Sequence, residues 1–194
     1  MIHALQKGGG LQGYATHFTT DKELECGIAF RESDFELLKI IHYEFRCLTL
    51  LLHRKYDGKR VLVTSCHLKA GESTKNDVIR QKQMNSCMRR LAQEEAEIVI
   101  IGGDLNSDPM IASRYYNSGM TVGPPRALET LRINGFHGGN DSQCTYYGWA
   151  YLKFDWIFYK GCNAKGPHRA DHLREPGPNS TQGSDHTALS VTLE

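Results

Sequence analysis

The residues most able to do chemistry sit in IVIIGGDLNSDP, Ile98 to Pro109. Its first half is apolar and β-branched, the pattern of a buried strand. Asp104, Asn106, Ser107 and Asp108 then crowd the place where that strand must end. In an extended chain residues i and i+2 share a side. Asp104 and Asn106 would thus present a carboxylate and an amide together at a strand's carboxyl end, a position where α/β folds place chemistry. The plainer reading is a loop. Ser107 as an N-cap and Pro109 at the start of a helix over SDPMIASRYY account for Ser107, Asp108 and Pro109. They leave Asp104 and Asn106 over.

Three other strand ends look similar. VLVTSCHLKAGE closes a strand at His67, with Lys69 two residues on and so on the same side; the plain alternative is a hydrogen-bonded filler. KFDWIFY alternates Phe154, Trp156 and Phe158 against Asp155 and Ile157. A carboxylate that shares a face with Ile157 needs a partner, because an unpaired buried charge is costly. GSDHTALSVTL opens a strand with Asp185 and His186, whose side chains would point to opposite faces. Taken together, the set is rich in oxygen donors and poor in thiolate. That suits a hard ion such as Mg²⁺ better than zinc. It also suits phosphoryl chemistry, in which a carboxylate orients water and an imidazolium stabilises developing charge.

The elements that must position these residues alternate between strand and helix. CGIAFRES and FELLKII read as strands around a tight turn. RCLTLLLHRK and KRVLVTSCHL flank Asp57-Gly58 and read as a hairpin. TKNDVIRQKQMNSCMRRLAQEEA carries Val78, Met84, Cys87, Met88 and Leu91 near a 3.6 period and predicts a helix. RALETLRINGF predicts another, ended by Gly135. KFDWIFYKG and HTALSVTLE supply the last strands, and GPHRADHLREPGPNSTQG between them predicts a loop. The expectation is a single α/β domain over residues 1–194 with a mixed sheet and helices outside.

Composition narrows the function. The chain has 194 residues, 40% of them hydrophobic and 23% charged, as in an ordinary globular domain. No apolar run reaches the roughly 20 residues of a membrane helix, so no membrane partner is expected. The opening MIHALQKGGG is too short and polar for a secretory signal. The six cysteines lie far apart with no C-x-x-C pair, which reads as buried free thiols in a reducing, intracellular compartment, cytoplasmic rather than nuclear. A net charge of +1 does not indicate a large basic face for duplex nucleic acid, which leaves room for a local basic groove and makes duplex DNA the less expected partner.

The ordered series TSCHLKA, GGDLNSDP, FDWIFY and GSDHTAL resembles the endonuclease/exonuclease/phosphatase superfamily, and its H-L-K-A and D-W-I-F-Y forms are most similar to the deadenylase and nocturnin branch. GIAFRESDFELL resembles that branch's strand pair. Four motifs in the right order make the resemblance specific; it runs from about Gly13 to the C-terminus. It implies a deoxyribonuclease I-like fold, a mixed two-sheet sandwich with helices outside. It implies that Asp104 orients or deprotonates water, Asn106 holds the phosphate, and His186 contacts the scissile phosphate while paired with Asp155. His67 and Lys69 would meet phosphate oxygens, and Asp185 would lie on the metal side. The implied cofactor is Mg²⁺, with Mn²⁺ as the alternative, and the implied activity is a 3′-exonuclease or deadenylase-like hydrolysis of single-stranded RNA or a nucleotide. Tyr147, Trp149 and Tyr151 of TYYGWAY border the implied base pocket and could stack a base, for about 1–3 kcal/mol, or could simply pack a hairpin. Family members begin with a strand carrying an Asn and then an L-Q-E-like segment whose Glu is the principal metal ligand. Here ALQK places Lys7 at the acidic position. The resemblance therefore implies a chain lacking its first elements, with a catalytically impaired remnant that binds phosphate, nucleotide or a partner as the alternative function.

Overall fold

The computed structural model describes residues 12–19, 26–43, 46–71, 73–109, 125–138, 145–146, 152–169, 186 and 189–194. Ten strands and two helices lie within them: β1 Tyr14–Phe18, β2 Gly27–Arg31, β3 Phe35–Tyr43, β4 Cys47–Arg54, β5 Arg60–His67, α1 Thr74–Leu91, β6 Ile98–Asp104, α2 Arg126–Ile133, β7 His137–Gly138, β8 Asp155–Lys160, β9 Ala164–Arg169 and β10 Leu189–Leu193. Six strands form one mixed sheet in the order β3-β4-β5-β6-β8-β7. Among the described strands, only β5 and β6 run parallel, and α1 makes the crossover between them, as a parallel pair requires.

Why the sheet holds is visible in its centre. β4 is buried along Cys47–Leu52, Thr49 included, because both its faces are covered. Cys47 and Leu51 face a core built with Leu62 and Cys66 of β5, Ile101 of β6, Trp156 and Phe158 of β8, and Met84, Cys87 and Leu91 of α1. Leu48, Leu50 and Leu52 pack instead on Cys26, Ile28 and Phe30 before and within β2. The helices thus cover one face, and the β1–β2 hairpin covers part of the other. The antiparallel β9–β10 pair forms a further two-stranded sheet, with β10 against β8. Among the described residues, the second layer of the expected sandwich comprises these two two-stranded pieces.

The β4–β5 hairpin forms where expected, with His53 opposite Arg60, and Arg54 clamps Asp57 through two hydrogen bonds of 2.8 and 2.6 Å. The turn after β2 does not close a hairpin with β3. It carries the chain from one layer to the other, since β2 pairs with β1 and β3 with β4. Helix α1 stops at Leu91, short of the expected Ala96. Its start is capped by Ser73, whose hydroxyl accepts from the Asn76 amide at 3.2 Å. The predicted loop over 166–183 is corrected at its beginning, because residues 166–169 belong to β9. Among the described strands β9 pairs with β10 alone, an edge position of the kind in which a strand proline is tolerated. The helix expected from Pro109 lies outside the described residues. No helix among the described residues is long and apolar enough to cross a membrane.

Candidate active site

Three neighbouring strands bring their ends into one row. Asp104, the last residue of β6, is in register with His67 of parallel β5 and with Asp155 of antiparallel β8. The motifs that stand 37 and 51 residues from Asp104 in the chain therefore meet by strand pairing alone. His67 Nε2 lies 3.7 Å from Asp104 Oδ2. His186 completes the group: its Nδ1 is 2.7 Å from Asp155 Oδ2, and its Nε2 is 4.0 Å from Asp104 Oδ2. An ionised carboxylate can only accept, so His186 Nδ1 donates to Asp155, and Nε2 faces Asp104 across the gap. The partner that Asp155 needed is His186.

The end of β6 owes its shape to Gly103, which has φ +128. A Cβ there would sit 2.1 Å from the Cys66 carbonyl oxygen of β5, so only glycine lets the two strands stay paired up to the Asp104 row. Gly102 is under no such pressure; a Cβ there would meet nothing closer than 3.5 Å.

Asn106 departs from the expectation. It has φ +47, in the left-handed region, so the chain is not extended past Asp104 and the two side chains are not related by a strand repeat. Leu105 instead turns into the helix-side core. The Asn106 amide N–H donates to Asp104 Oδ1 at 2.8 Å, and its side-chain Nδ2 donates to the Leu68 carbonyl at 3.1 Å. Asn106 still lines the same cavity as Asp104. Asn tolerates this backbone better than most residues.

Asp104 is held in an unfavourable place for a charge. Burial pushes its carboxyl up from the ordinary 3.8 to about 6, and the nearby Asp155 carboxylate adds to the rise. The Asn106 amide and His186 pull the other way without prevailing.

The row opens into a cavity of about 280 Å³ lined by His67, Ala70, Gly71, Asp104, Asn106, Tyr146, Phe154 and His186. That is near the lower size of small-ligand sites, about 300 Å³. Lys69 is exposed and does not line it. What is fixed at Lys69 is the backbone: its N–H donates to Gln83 Oε1 at 3.0 Å, and its carbonyl accepts from Arg80 Nη1 at 2.9 Å. Arg80 also reaches the Gly71 carbonyl at 2.6 Å. Helix α1 thus pins the 69–71 wall of the cavity.

Several contributors were not legible in the motifs. Thr145 is fully buried, and its hydroxyl accepts from the Phe154 and Asp155 amides at 3.1 and 3.0 Å, fixing the start of β8. Asp108 accepts from the Lys153 amide at 3.1 Å, and Trp156 Nε1 donates to the Ser107 carbonyl at 2.9 Å. Tyr146 stands edge-on to His186, with ring centroids 5.1 Å apart, and packs on Phe154 at 5.2 Å. Asp185, Tyr147, Trp149 and Tyr151 lie outside the described residues.

A hard divalent cation finds little here among the described residues. Asp104 and Asp155 supply the carboxylates of the row, and each is engaged, one by an amide and one by an imidazole. The three-member cluster of close metal-ligating side chains among the described residues lies elsewhere and is made of cysteines. These residues do not by themselves fit a Mg²⁺ site.

No protein-family model matches the chain, and no curated protein matches it. Solved structures do. The human nocturnin catalytic domain with bound sulfate superposes with a TM-score of 0.65 at 15% identity, covering 100% of this chain and 78% of that one. A mannosyl-6-phosphatase of Bacteroides thetaiotaomicron gives 0.66 at 15% identity, over 100% and 82%. ANGEL2, a 2′,3′-cyclic phosphatase in complex with adenosine-2′,3′-vanadate, gives 0.61 at 14% identity, over 98% and 70%. The chain spans 59% of a TDP2 chain of Caenorhabditis elegans, at 20% identity and a TM-score of 0.64. Likenesses at these identities establish the fold. It is the mixed α/β, deoxyribonuclease I-like fold that the four motifs implied, shared with a protein described as an endonuclease/exonuclease/phosphatase family member (TM-score 0.64, 15% identity).

Proposed function

We propose that the chain hydrolyses a phosphoester bond by direct attack of water on phosphorus, with a single-stranded RNA or a nucleotide as substrate. One observation carries the reading: a half-buried carboxylate raised to about 6 faces, across a 4.0 Å gap, an imidazole held by a second carboxylate. Asp104, deprotonated above that value, accepts the proton of the attacking water. His186, kept in orientation by Asp155, donates from Nε2 to a phosphoryl oxygen as charge develops on it. His67 adds a second donor from the opposite side of Asp104. Holding water and phosphorus between these groups supplies orientation as well as charge. Tyr146 and Phe154 offer an aromatic wall beside His186 on which a base can stack, which supports a nucleotide over a sugar phosphate.

The test is hydrolysis of a generic phosphodiester and of an oligoadenylate by the native chain and by Asp104→Ala. The reading expects turnover that rises with pH through about 6 and disappears in the variant, with the circular dichroism unchanged. Full turnover by the variant would exclude Asp104 from the chemistry. A second reading, phosphate or nucleotide binding without turnover, is favoured by the lack of a hard-ion cluster among the described residues. Mg²⁺ usually takes one or two carboxylates beside its waters. With Asp104 and Asp155 engaged, calorimetry is expected to show weak Mg²⁺ binding, with Asp185→Ala weakening it further. Tight binding unaffected by Asp185→Ala would mean that other residues form the metal site.

A further inference from the structure

On the helix side of the same sheet, three thiols meet. Cys47 of β4 and Cys66 of β5 are direct cross-strand partners, with their sulfurs 3.2 Å apart. Cys87 of α1 closes the triangle, and all three sulfurs lie within 4.8 Å of one another. All are free thiols and nearly fully buried, at 1%, 2% and 1% exposure. Two strands and a helix thus aim one sulfur each at a common point, which packing of small apolar side chains does not require.

We propose that Cys47, Cys66 and Cys87 form a three-coordinate site for a soft monovalent ion, copper(I). Sulfur ligands select soft ions over Mg²⁺ or Ca²⁺. Zinc is a poorer match, because a structural zinc takes four ligands. The three cysteines share one buried core cluster with Leu51, Leu62, Met84 and Ile101, and no histidine or carboxylate joins the three sulfurs among the described residues. A cysteine sulfur ligates as thiolate, so loading releases a proton from each thiol that becomes a ligand and involves no change in oxidation state. The ion would join α1 to β4 and β5 directly behind the strands that end at the candidate active site. Enclosure of this kind means that loading accompanies folding or a transient opening of the core.

The test uses the full chain with Cys162 and Cys144 changed to serine, to remove two competing thiols. It is refolded anaerobically with copper(I) buffered by bicinchoninate. The site predicts one retained equivalent, an X-ray absorption spectrum with sulfur as the only near neighbour, and a higher melting temperature in the loaded form, because an ion bound only by the folded state stabilises it. Cys87→Ser should lose the retained equivalent. If that variant folds poorly, alkylation with mass spectrometry on the same background decides: copper should protect Cys47, Cys66 and Cys87 together at intermediate urea concentrations. Failure of the chain to retain copper(I) against the chelator, equal retention by Cys87→Ser, or no shared protection would overturn the proposal.

Discussion

The two faces of the central sheet use the same strands for opposite ends. On the helix side, Cys66 of β5, Ile101 of β6 and Trp156 of β8 are at most 2% exposed and interlock with α1 and α2. At the ends of those strands, His67, Asp104 and Asp155 are only partly covered, polar, and tied to one another and to His186. Neighbouring residues thus separate into a packing set and a chemical set, because successive side chains on a strand alternate in direction. The comparison teaches where the strain goes. The packed face fixes the backbone so firmly that a carboxylate can be kept at an electrostatic disadvantage on the other side. Asp104 is raised to about 6 by burial and by Asp155, a situation that an adaptable loop would relieve.

The largest effect expected from breaking this arrangement is on rate. Asp104→Asn should lower turnover by about 10²–10⁴-fold, the usual contribution of a positioned base. Stability should move the other way. The folded-state value of Asp104 lies above its ordinary 3.8, so its contribution is fully present below pH 4 and is lost as pH rises through about 6. At pH 8 the ionised carboxylate therefore opposes folding by up to about 3 kcal/mol, taking about two pH units at 1.36 kcal/mol each. Asn carries no such charge. Urea denaturation at pH 8 should find the variant more stable than the native chain, with the difference vanishing near pH 4. A variant less stable at pH 8 would mean that Asp104 is a structural carboxylate.

Next in size is the glycine pair. Gly103→Ala would force a Cβ to 2.1 Å from a backbone oxygen that cannot swing away, at a φ of +128. A loss of at least about 3 kcal/mol is expected, comparable with severe strain or overpacking. Gly102→Ala meets only ordinary contacts and should stay within about 1 kcal/mol of the native chain. Equal melting temperatures for the two variants would remove Gly103 from the account of the strand end.

Arg80 links the faces. It is 5% exposed, sits 3.7 Å from Asp77, and holds the Lys69 and Gly71 carbonyls. Asp77 in turn reaches the Arg126 guanidinium at 3.3 Å, joining α1 to α2. Burial pushes the Asp77 carboxyl up despite both arginines. Arg80→Met should cost about 3 kcal/mol, since removing one partner of a buried pair strands the other. It should also raise KM more than it lowers kcat, because the 69–71 wall of the cavity loses its anchor. A stability loss with KM unchanged would confine Arg80 to the packing side.

These particulars also show what the sequence could and could not reveal. Alternation in KFDWIFY marked Asp155 as a carboxylate in need of a partner, and strand ends marked His67, Asp104 and His186, because period-two patterns and terminal polar residues are local signals. The left-handed turn at Asn106, the Thr145 hydroxyl under two β8 amides, the Tyr146 edge on His186 and the Arg80 anchor were not readable. Each depends on a contact between segments far apart in the chain, and no spacing rule encodes it. Residues 166–169 differ from the loop expected there for a related reason: Gly and Pro signal a loop locally, and only the pairing with β10 makes the segment an edge strand.

The smallest effect, and the most direct probe of the row itself, is on the titration of His186. Its Nδ1 lies 2.7 Å from Asp155 Oδ2, with the two side chains 29% and 20% exposed. A carboxylate this close favours the imidazolium, and the screening left by partial exposure keeps the interaction well short of its dry-interior strength. Asp155→Asn removes the charge and keeps the size, and the amide oxygen can still accept from Nδ1. The His186 pKa should therefore fall in the variant, because the adjacent opposite charge that favours the imidazolium is gone. The orientation of the ring should survive, so nuclear magnetic resonance should show the shift without loss of the Tyr146 ring-current effect on His186. A fall in pKa together with a drop in rate at neutral pH would tie the imidazolium to catalysis. A His186 titration that is the same in the native chain and in Asp155→Asn would break the pair, and with it the claim that the β8 carboxylate serves the active site and not merely the end of its own strand.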